Sequence, residues 1–295
     1  MELDPDLKAL LAAMPTMPPL NEETLAQIRP YAAPPALDSP SVDRQEIDGP
    51  ARLTILRPAG PAAATPPPLV FWIHGGGMVM GNRYSQLDIP VEWLERFGAT
   101  VVSVEYRLAP EARGTELVED CYRGLAWAAG NLAIDPARIV VAGASAGGGL
   151  AAGVTLMARD RGDLPIAGQV LIGAMLDHRN DAAFDGAPVV WTREMNEFGW
   201  RSVIDGGEVP AYVSPALAED LSGLPPAYID AGSAELFRDE NVAYASRIWA
   251  AGGRADLHVW TGGSHGFDAL FPAAPISVAA RRARTDWVGR LLSGR

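Results

Sequence analysis

Short apolar segments alternate along most of this chain with longer segments of helical spacing. The strand-like segments are Arg52–Arg57, Leu69–Ile73, Ala99–Val104, Arg138–Ala142, Gln169–Gly173, Ala227–Asp230 and Asp256–Trp260. The helix-like segments are Val118–Asn131, Leu150–Arg161, Asp239–Ala251 and Ser277–Leu292. Strands that alternate with helices build a mainly parallel sheet, and continuous apolar runs indicate that both faces of the sheet are covered. The sequence therefore predicts an α/β fold with a mainly parallel sheet flanked by helices.

Two regions depart from this alternation. Residues 1 to about 45 are rich in proline and predict one or two short helices, around Leu7–Met14 and Leu25–Ile28. The mixed stretch between Leu176 and Pro215 carries two tryptophans and several charges, which indicates an insertion above the sheet. The chain has 295 residues, a length that α/β folds often reach as one unit, so a single domain is predicted over residues 1–295.

The chain is acidic, with a formal net charge of −12. A nucleic-acid partner requires a basic surface, and an anionic membrane attracts one, so the charge argues against both. Cys121 is the only cysteine, which excludes an intrachain disulfide and a multi-cysteine metal site. The N-terminus lacks the apolar segment of a secretory signal, and no uncharged apolar run approaches about 18 residues. A cytoplasmic protein without stable membrane insertion is therefore expected.

The segment Gly143-Ala-Ser-Ala-Gly147 follows the strand-like Arg138–Ala142 and opens a helix. The pattern G-x-S-x-G in a strand–turn–helix setting is typical of a serine held in a strained turn, where its hydroxyl is exposed. The helix N-terminus also favours negative charge that develops beside it. A phosphate-binding loop is the weaker interpretation, because the first βα unit has no G-x-G-x-x-G and no Walker lysine is present. Ser145 is therefore the predicted nucleophile.

A second glycine-rich segment, His74-Gly-Gly-Gly77, follows the strand-like Leu69–Ile73. Three successive glycines let the backbone approach a substrate closely and present its N–H groups. Such donors stabilise a tetrahedral oxyanion, and the residue after the nucleophile supplies another. The predicted oxyanion donors are Gly75, Gly76, Gly77 and Ala146. The two later glycines are favoured over the first, and His74 is interpreted as a brace of the loop through a hydrogen bond.

A serine nucleophile needs a base within hydrogen-bond distance, and the chain has four histidines. His74 precedes the glycines, His178 lies at the entrance of the insertion, and His258 lies inside a strand-like segment. His265 lies in Gly262-Gly-Ser-His-Gly-Phe267, after the last strand-like segment. Loops at the carboxyl ends of parallel strands gather active-site groups, and the base comes last in the chain order of this fold. His265 is therefore the predicted general base.

The acid that orients the imidazole should follow the strand-like Ala227–Asp230. The candidates are Asp230, Glu235, Asp239 and Glu240. Asp230 ends the strand, whereas Asp239 and Glu240 open the next helix, where acidic residues are common. Glu235 lies in the loop between them and is the predicted acid, with Asp239 as the alternative.

These segments together resemble the hormone-sensitive-lipase-like branch of the α/β hydrolases, the carboxylesterases and lipases of bacterial type IV. The resemblance extends from about Leu53 to Leu292 and depends on four segments in order. They are His74–Gly77, Tyr106-Arg-Leu-Ala-Pro-Glu111, Gly143–Gly148 and His265-Gly-Phe267. The resemblance implies the α/β-hydrolase fold, with an eight-stranded, mainly parallel sheet and a small helical cap from residues 1 to about 45 and about 177–213. Tyr106–Glu111 is interpreted as a bracing loop.

The chain departs from the family pattern at two positions. Ala144 stands where the family usually carries Asp before the serine, so a side-chain hydrogen bond of the family is expected to be absent. Glu235 stands where the family more often carries Asp, and a glutamate reaches one methylene further to do the same task. The cap is expected to shape the acyl and alcohol pockets. The candidate lining residues are Met78, Trp191 and Trp200.

Residues and resemblance together predict a serine hydrolase that cleaves short- to medium-chain carboxylic esters through an acyl-enzyme intermediate. No metal or cofactor is implied, the expected partner is a small-molecule ester, and members of the resembled family often form homodimers. Lactone or amide hydrolysis by the same triad is an alternative, because a fold does not determine a substrate. A non-catalytic small-molecule receptor on the same fold is the alternative from another class.

Overall fold

The computed structural model describes residues 2–15, 18–49, 52–61, 64–180, 182, 190–204 and 206–293. In these ranges, eight strands form one sheet with helices on both sides. The strands are β1 (Val42–Asp48), β2 (Arg52–Pro58), β3 (Leu69–Ile73), β4 (Thr100–Glu105), β5 (Ile139–Ala144), β6 (Gly168–Ile172), β7 (Ala227–Ala234) and β8 (Ala255–Ser264). The helices are α1 (Pro5–Ala12), α2 (Leu25–Ile28), α3 (Asp88–Phe97), α4 (Glu116–Asn131), α5 (Ala146–Arg161), α6 (Arg193–Val203), α7 (Arg238–Ala250), α8 (Phe267–Leu270) and α9 (Pro275–Leu292).

The strand order in the sheet is β1-β2-β4-β3-β5-β6-β7-β8. β2 pairs antiparallel with β1 and with β4, and all the other neighbouring pairs are parallel. The predicted α/β fold with an eight-stranded, mainly parallel sheet is therefore confirmed. Because β3, β5, β7 and β8 run in the same direction, the loops that follow them lie at the same end of the sheet.

Side chains of β3 alternate between the two faces of the sheet. Leu69 and Phe71 belong to the core on one face, together with residues of α4, α5 and α7. Val70 and Trp72 belong to the core on the other face, together with residues of α3 and α9. Trp72 packs edge-on against Trp93 of α3, with ring centroids 6.4 Å apart. Because helices cover both faces, a central strand can be apolar at every position.

Among the elements that the sequence did not predict are β1, α3 and the short α8, and α5 begins four residues earlier than predicted. β1 reads Val-Asp-Arg-Gln-Glu-Ile-Asp and lies at the edge of the sheet, where exposure removes the need for an apolar run. α3 is amphipathic, with Ile89 and Trp93 among its buried residues, but it has only 10 residues. It also follows the glycine loop, His74–Gly77, closely in the chain. α5 begins at Ala146 rather than Leu150, because three glycines in its first turn hide the helical spacing.

The regions expected to form a cap contribute three of these helices. Residues 1 to about 45 contain α1 and α2, and α6 belongs to the second region, in which residues 181, 183–189 and 205 lie outside the described residues. Arg29, after α2, donates to Val79 O at 2.8 Å and pairs with Glu111 at 2.6 Å. These contacts attach the N-terminal region to the loops that follow β3 and β4. Among the described residues, no helix is both long and apolar enough to cross a membrane.

Candidate active site

Ser145 lies at the turn between β5 and α5, with a backbone φ of +58° and ψ of −124°. This conformation is rare for a residue that carries a side chain. Hydrogen bonds hold the strained residue on both sides. The Ser145 N–H donates to Ile172 O at 2.7 Å, and the Met175 N–H donates to Ser145 O at 3.0 Å. The turn is therefore fixed by the segment that ends β6 and continues beyond it.

Close backbone contacts require the two glycines of the turn Gly143–Gly147, which we call the elbow. A Cβ at Gly143 would lie 2.2 Å from Gly147 O, and a Cβ at Gly147 would lie 2.0 Å from Ile73 O. Both distances are far below van der Waals contact, and the opposing atoms belong to the backbone. The G-x-S-x-G spacing thus follows from the close approach of β3, β5 and α5.

Ser145, His265 and Glu235 form a chain of hydrogen bonds. The Ser145 hydroxyl donates to His265 Nε2 at 2.9 Å, and the His265 Nδ1–H donates to Glu235 Oε2. Glu235 Oε1 accepts a hydrogen bond from the Gly232 N–H, and Phe237 packs edge-on against the imidazole at 5.0 Å. All three residues are buried: Ser145 is 7% exposed, His265 8% and Glu235 2%. This arrangement can move a proton from serine to imidazole and stabilise the imidazolium that forms.

Asp230, one of the candidate acids, has a different partner. Its carboxylate pairs with Arg284 of α9 at 2.9 Å, and Arg284 also pairs with Asp268 of α8 at 2.8 Å. Burial raises the pKa of Asp230, although Arg284 opposes this shift. The sequence indicates that Asp230 ends its strand, but β7 continues to Ala234, so Asp230 lies inside the strand.

The two acidic residues of α7 are engaged elsewhere as well. Asp239 is exposed and pairs with Arg238 at 2.6 Å. Glu240 is buried and accepts hydrogen bonds from the Leu176 N–H at 2.6 Å and from Asn180 Nδ2 at 2.7 Å. Burial raises the pKa of Glu240 well above its ordinary value. Of the four candidates, Glu235 is the one whose carboxylate reaches His265.

The loop after β3 is held from two sides at Gly75. The Gly75 N–H donates to Gln86 Oε1 at 2.9 Å, and Gly75 O accepts from the His74 Nδ1–H at 2.7 Å. Gly76 follows with a φ of +113° and lines the cavity beside the nucleophile. Ala146 begins α5, where the first N–H groups of a helix have no intrahelical partner. The N–H of Gly75 already donates to Gln86, whereas the N–H of Ala146 has no partner within its helix.

His74 and Tyr106 brace this loop, as the sequence predicts. Their rings stack with centroids 4.3 Å apart, and the Tyr106 hydroxyl donates to His74 O at 2.9 Å. The Ala109 N–H, in the same segment as Tyr106, donates to Met78 O at 2.9 Å. Burial lowers the pKa of His74 to about 4, so its imidazole stays neutral at neutral pH.

The two other histidines occupy structural positions. His258 stacks on Tyr228 and on Trp260, with centroids 5.1 and 5.6 Å apart. His178 Nδ1 lies 3.1 Å from Ser214 Oγ, and burial lowers the pKa of His178. Neither makes a hydrogen bond to the nucleophile, which agrees with their interpretation as structural residues.

A cavity of about 340 Å³ opens onto Ser145 and His265. Trp191 forms part of its wall and also presses on the glycine loop, since a Cβ at Gly77 would lie 2.2 Å from Trp191 Cη2. Further apolar lining residues are Ile89, Val190 and Leu270. Met78 and Trp200, the other two residues expected in the lining, do not line it. Both are buried in the core instead: Met78 lies in the loop after β3, and Trp200 lies on α6.

The polar residues beside the cavity that the sequence did not suggest include a glutamine and an arginine. Gln86 lines the cavity and accepts from Gly75, and Arg284 lines it from α9. No motif surrounds Gln86. Arg284 belongs to a stretch with several arginines, which reads as a solvated face. Only the helical spacing indicates that Arg284 is buried, because Ala280 and Trp287, about one turn away on either side, are buried as well.

Comparison with known proteins relates the chain to esterases. The profile of a family described as "alpha/beta hydrolase fold" matches residues 70–269. Esterase LipI of Mycobacterium tuberculosis is 32% identical, over 92% of this chain and 91% of that protein. Carboxylesterase NlhH of the same species is 33% identical, over 87% of this chain and 86% of that protein.

Solved esterase structures share the fold over almost the full length of the chain. Bacterial heroin esterase superposes with a TM-score of 0.89 at 33% identity, covering 98% of each chain. Esterase LipW of Mycobacterium marinum gives a TM-score of 0.86 at 30% identity, covering 98% of this chain and 96% of that chain. The chain thus belongs to the α/β-hydrolase-fold family, in its hormone-sensitive-lipase-like branch, and is a carboxylic ester hydrolase.

Proposed function

We propose that this enzyme cleaves short- to medium-chain carboxylic esters through an acyl-enzyme intermediate on Ser145, with His265 as general base and Glu235 as the acid. The proposal is carried by the continuous hydrogen-bond chain from Glu235 through His265 to Ser145, which ends at the cavity. The proposed oxyanion donors are the N–H groups of Gly76, Gly77 and Ala146. Gly75 is left out of the donor set because its N–H is bound to Gln86.

In the first half of the reaction, Ser145 becomes acylated. His265 Nε2 accepts the serine proton while Oγ attacks the ester carbonyl carbon. The carbonyl oxygen becomes negative and accepts hydrogen bonds from the proposed donors, each worth about 3 kcal/mol to the transition state. Glu235 holds the imidazole in the required tautomer and stabilises the imidazolium. The imidazolium then gives its proton to the alcohol oxygen as the ester C–O bond breaks.

In the second half of the reaction, water takes the place of the alcohol. His265 accepts a proton from this water, whose oxygen attacks the acyl carbonyl carbon. The same backbone donors stabilise the second tetrahedral intermediate. Collapse of this intermediate breaks the bond to Oγ, returns the proton to Ser145 and releases the carboxylic acid.

The cavity supports the proposed size of the substrate. Its volume of about 340 Å³ lies at the lower end of the range of small-molecule pockets, about 300–1,000 Å³. The apolar walls formed by Ile89, Trp191 and Leu270 favour an apolar acyl or alcohol group next to the reacting carbonyl. Short and medium chains fit this volume better than long ones.

Lactones and amides present the same carbonyl group to the same residues. A panel of esters, lactones and anilides of graded chain length distinguishes the three activities. The proposal expects the highest kcat/KM with a short- or medium-chain ester. A higher kcat/KM with a lactone or an amide would replace the proposed substrate class but not the mechanism.

Ser145→Ala tests the mechanism. Because the nucleophile is lost, we expect kcat on a short p-nitrophenyl ester to fall by about 10⁴- to 10⁶-fold and labelling by a fluorophosphonate to disappear. Ser222→Ala is a matched control, because Ser222 is exposed and its hydroxyl donates to Asp220 within the same turn, so the change leaves its backbone contacts in place. Undiminished hydrolysis by Ser145→Ala would contradict the mechanism. Failure of the wild-type protein to react with the probe would likewise contradict the proposed role of Ser145.

A cytoplasmic location, the absence of a nucleic-acid partner and a homodimer remain predictions. The first two follow from the sequence and its net charge of −12, and the third comes from the family resemblance. The single domain with a cap from residues 1 to about 45 and about 177–213 is likewise proposed. Cell fractionation and light scattering measure the location and the oligomeric state.

A further inference from the structure

We propose that Gln86 is a positioning residue of the oxyanion hole, whose side-chain amide fixes Gly75 so that the N–H of Gly76 faces the substrate carbonyl. This inference depends on the proposed acyl-enzyme mechanism. Gln86 lies outside the glycine loop and the elbow, and it enters the site from the segment between β3 and α3.

Gln86 meets the glycine loop next to the nucleophile. Its Oε1 accepts the Gly75 N–H at 2.9 Å. A Cβ built on Gly75 would lie 3.1 Å from Ser145 Cβ and 3.2 Å from Gln86 Nε2. The amide group of Gln86, the first glycine of the loop and the nucleophile therefore come together around one point. Gln86 also lines the cavity that opens onto Ser145.

The hydrogen bond from Gly75 has a consequence for the next amide. A peptide unit is planar and trans, so the C=O of Gly75 and the N–H of Gly76 point in opposite directions. The His74 Nδ1–H holds this C=O at 2.7 Å, and Gln86 holds the N–H of the preceding peptide unit. Two successive peptide planes are thereby fixed in a segment that glycines would otherwise leave free to rotate. The Gly76 N–H then points away from His74.

The backbone of Gln86 adopts a conformation that a side chain disfavours. Its φ is +58°, in the left-handed region where glycine and asparagine are the usual residues. The segment is held in place because the Trp72 Nε1–H donates to Ser85 O at 3.2 Å and the Ile89 N–H donates to Gln86 O at 3.2 Å. Glycine lacks a side-chain oxygen and asparagine carries it one methylene closer to the backbone. A glutamine in this conformation is explained by the reach of its amide to Gly75.

Gln86→Met tests the role, because methionine has a similar length but offers no comparable acceptor to the Gly75 N–H. We expect kcat on a p-nitrophenyl ester to fall by about 10- to 100-fold, less than for loss of a direct donor, with KM within about threefold of wild type. A thionoester provides the specific readout, since its sulfur accepts hydrogen bonds weakly. The ratio of kcat/KM for the ester to that for the matched thionoester should fall by about tenfold.

Two further variants separate positioning from a structural role. Gln86→Gly removes the side chain and relieves the left-handed conformation, so the unfolding midpoint should stay unchanged or rise while kcat and the ester/thionoester ratio fall. Gln45→Met is the matched control, because Gln45 is exposed on the edge strand β1, where its Oε1 accepts from Arg57 at 3.1 Å. It should match wild type in both kcat and ratio.

The inference is overturned if Gln86→Met keeps kcat within about twofold and the wild-type ratio. It is also overturned if both variants lose ester and thionoester activity equally, with lowered unfolding midpoints. Full activity in Gln86→Met together with an inactive Ser145→Ala contradicts this inference alone. Full activity in Ser145→Ala contradicts the proposed mechanism itself.

Discussion

Glu235 shows how a longer side chain can take a place that aspartate more often fills. The residue directly follows β7, and its carboxylate has two partners, the His265 Nδ1–H and the Gly232 N–H. A glutamate has one more rotatable bond than an aspartate, so it loses more conformational entropy when it is fixed. The backbone donor at Gly232 compensates for this by orienting the second oxygen.

Substitution of Glu235 is expected to separate the acid from its alternative, Asp239. In Glu235→Gln, the amide no longer favours the tautomer that accepts at Nε2, so kcat should fall by about 10³- to 10⁴-fold. Asp239→Asn, which alters only an exposed pair with Arg238, should keep kcat within about twofold. Steady-state kinetics on one p-nitrophenyl ester measure both. The reverse pattern would make Asp239 the acid.

His74 is expected to make folding stability dependent on pH. Burial lowers its folded pKa from 6.5 to about 4, so the unfolded chain binds a proton between these values and the folded protein does not. Stability is therefore lost as pH falls through this window. His74→Asn keeps a donor near Gly75 O but does not titrate. The difference in free energy of unfolding by which the wild type is more stable than this variant should therefore shrink by about 2 kcal/mol from pH 7 to pH 5. Urea unfolding measures the difference, and a deficit that is constant with pH would contradict the assignment.

The function of the elbow depends on how closely β3 approaches the turn between β5 and α5. Ser145 is exposed to the cavity because β5 turns directly into α5, and this turn lies against the end of β3. The helix that begins there also carries the Ala146 N–H. One short strand–turn–helix unit thus supplies both the nucleophile and one proposed oxyanion donor, which fixes their relative position.

Gly147→Ala is expected to disrupt this element. The new Cβ would lie 2.0 Å from Ile73 O and 2.5 Å from His74 O, so the backbone must move, with a loss of about 3 kcal/mol or more in the free energy of unfolding. Esterase activity should fall as well, because the added Cβ pushes the glycine loop after β3 away from Ser145. Gly130→Ala in α4 is the control, since no atom lies within 4 Å of its Cβ. It should stabilise the protein by about 0.5–1 kcal/mol, and equal urea midpoints for both variants would contradict this account.

Arg284 connects distant parts of the molecule beneath the cavity. It extends from α9 to Asp230 in β7 and to Asp268 in α8, and all three residues are no more than 2% exposed. α8 begins two residues after His265, so the same cluster anchors the segment that carries the general base. The cluster thus couples the C-terminal helix to the site at the level of the whole chain.

Arg284→Met should destabilise the protein because it leaves two buried carboxylates without their cation. The expected loss in the free energy of unfolding is about 3–5 kcal/mol at pH 7, as is usual for a broken buried ion pair. Asp230→Asn and Asp268→Asn in the same chain should restore part of it, because they remove the uncompensated charges. Urea unfolding of the single and triple variants measures this. A triple variant less stable than Arg284→Met would contradict the electrostatic explanation.

Much of this molecule follows from local sequence. The strand-like runs, the G-x-S-x-G turn and the His-Gly-Gly-Gly loop each specify a backbone conformation over a few residues, by short-range sterics and by burial on both faces of the sheet. The parallel sheet then brings the ends of β3, β5, β7 and β8 together. For this reason the sequence alone was enough to predict the fold and to bring Ser145 and His265 forward as partners.

Only the tertiary structure decided which groups pair with which. Four acids lie within eleven positions of each other, and the sequence favours Glu235 among them by its position alone. In the structure, α9 brings Arg284 to Asp230 while Glu235 reaches His265. In the same way, Gln86 takes the Gly75 N–H, and packing places Trp191 in the cavity wall but Met78 and Trp200 in the core. These choices depend on contacts between residues far apart in the chain, whose geometry no local pattern contains.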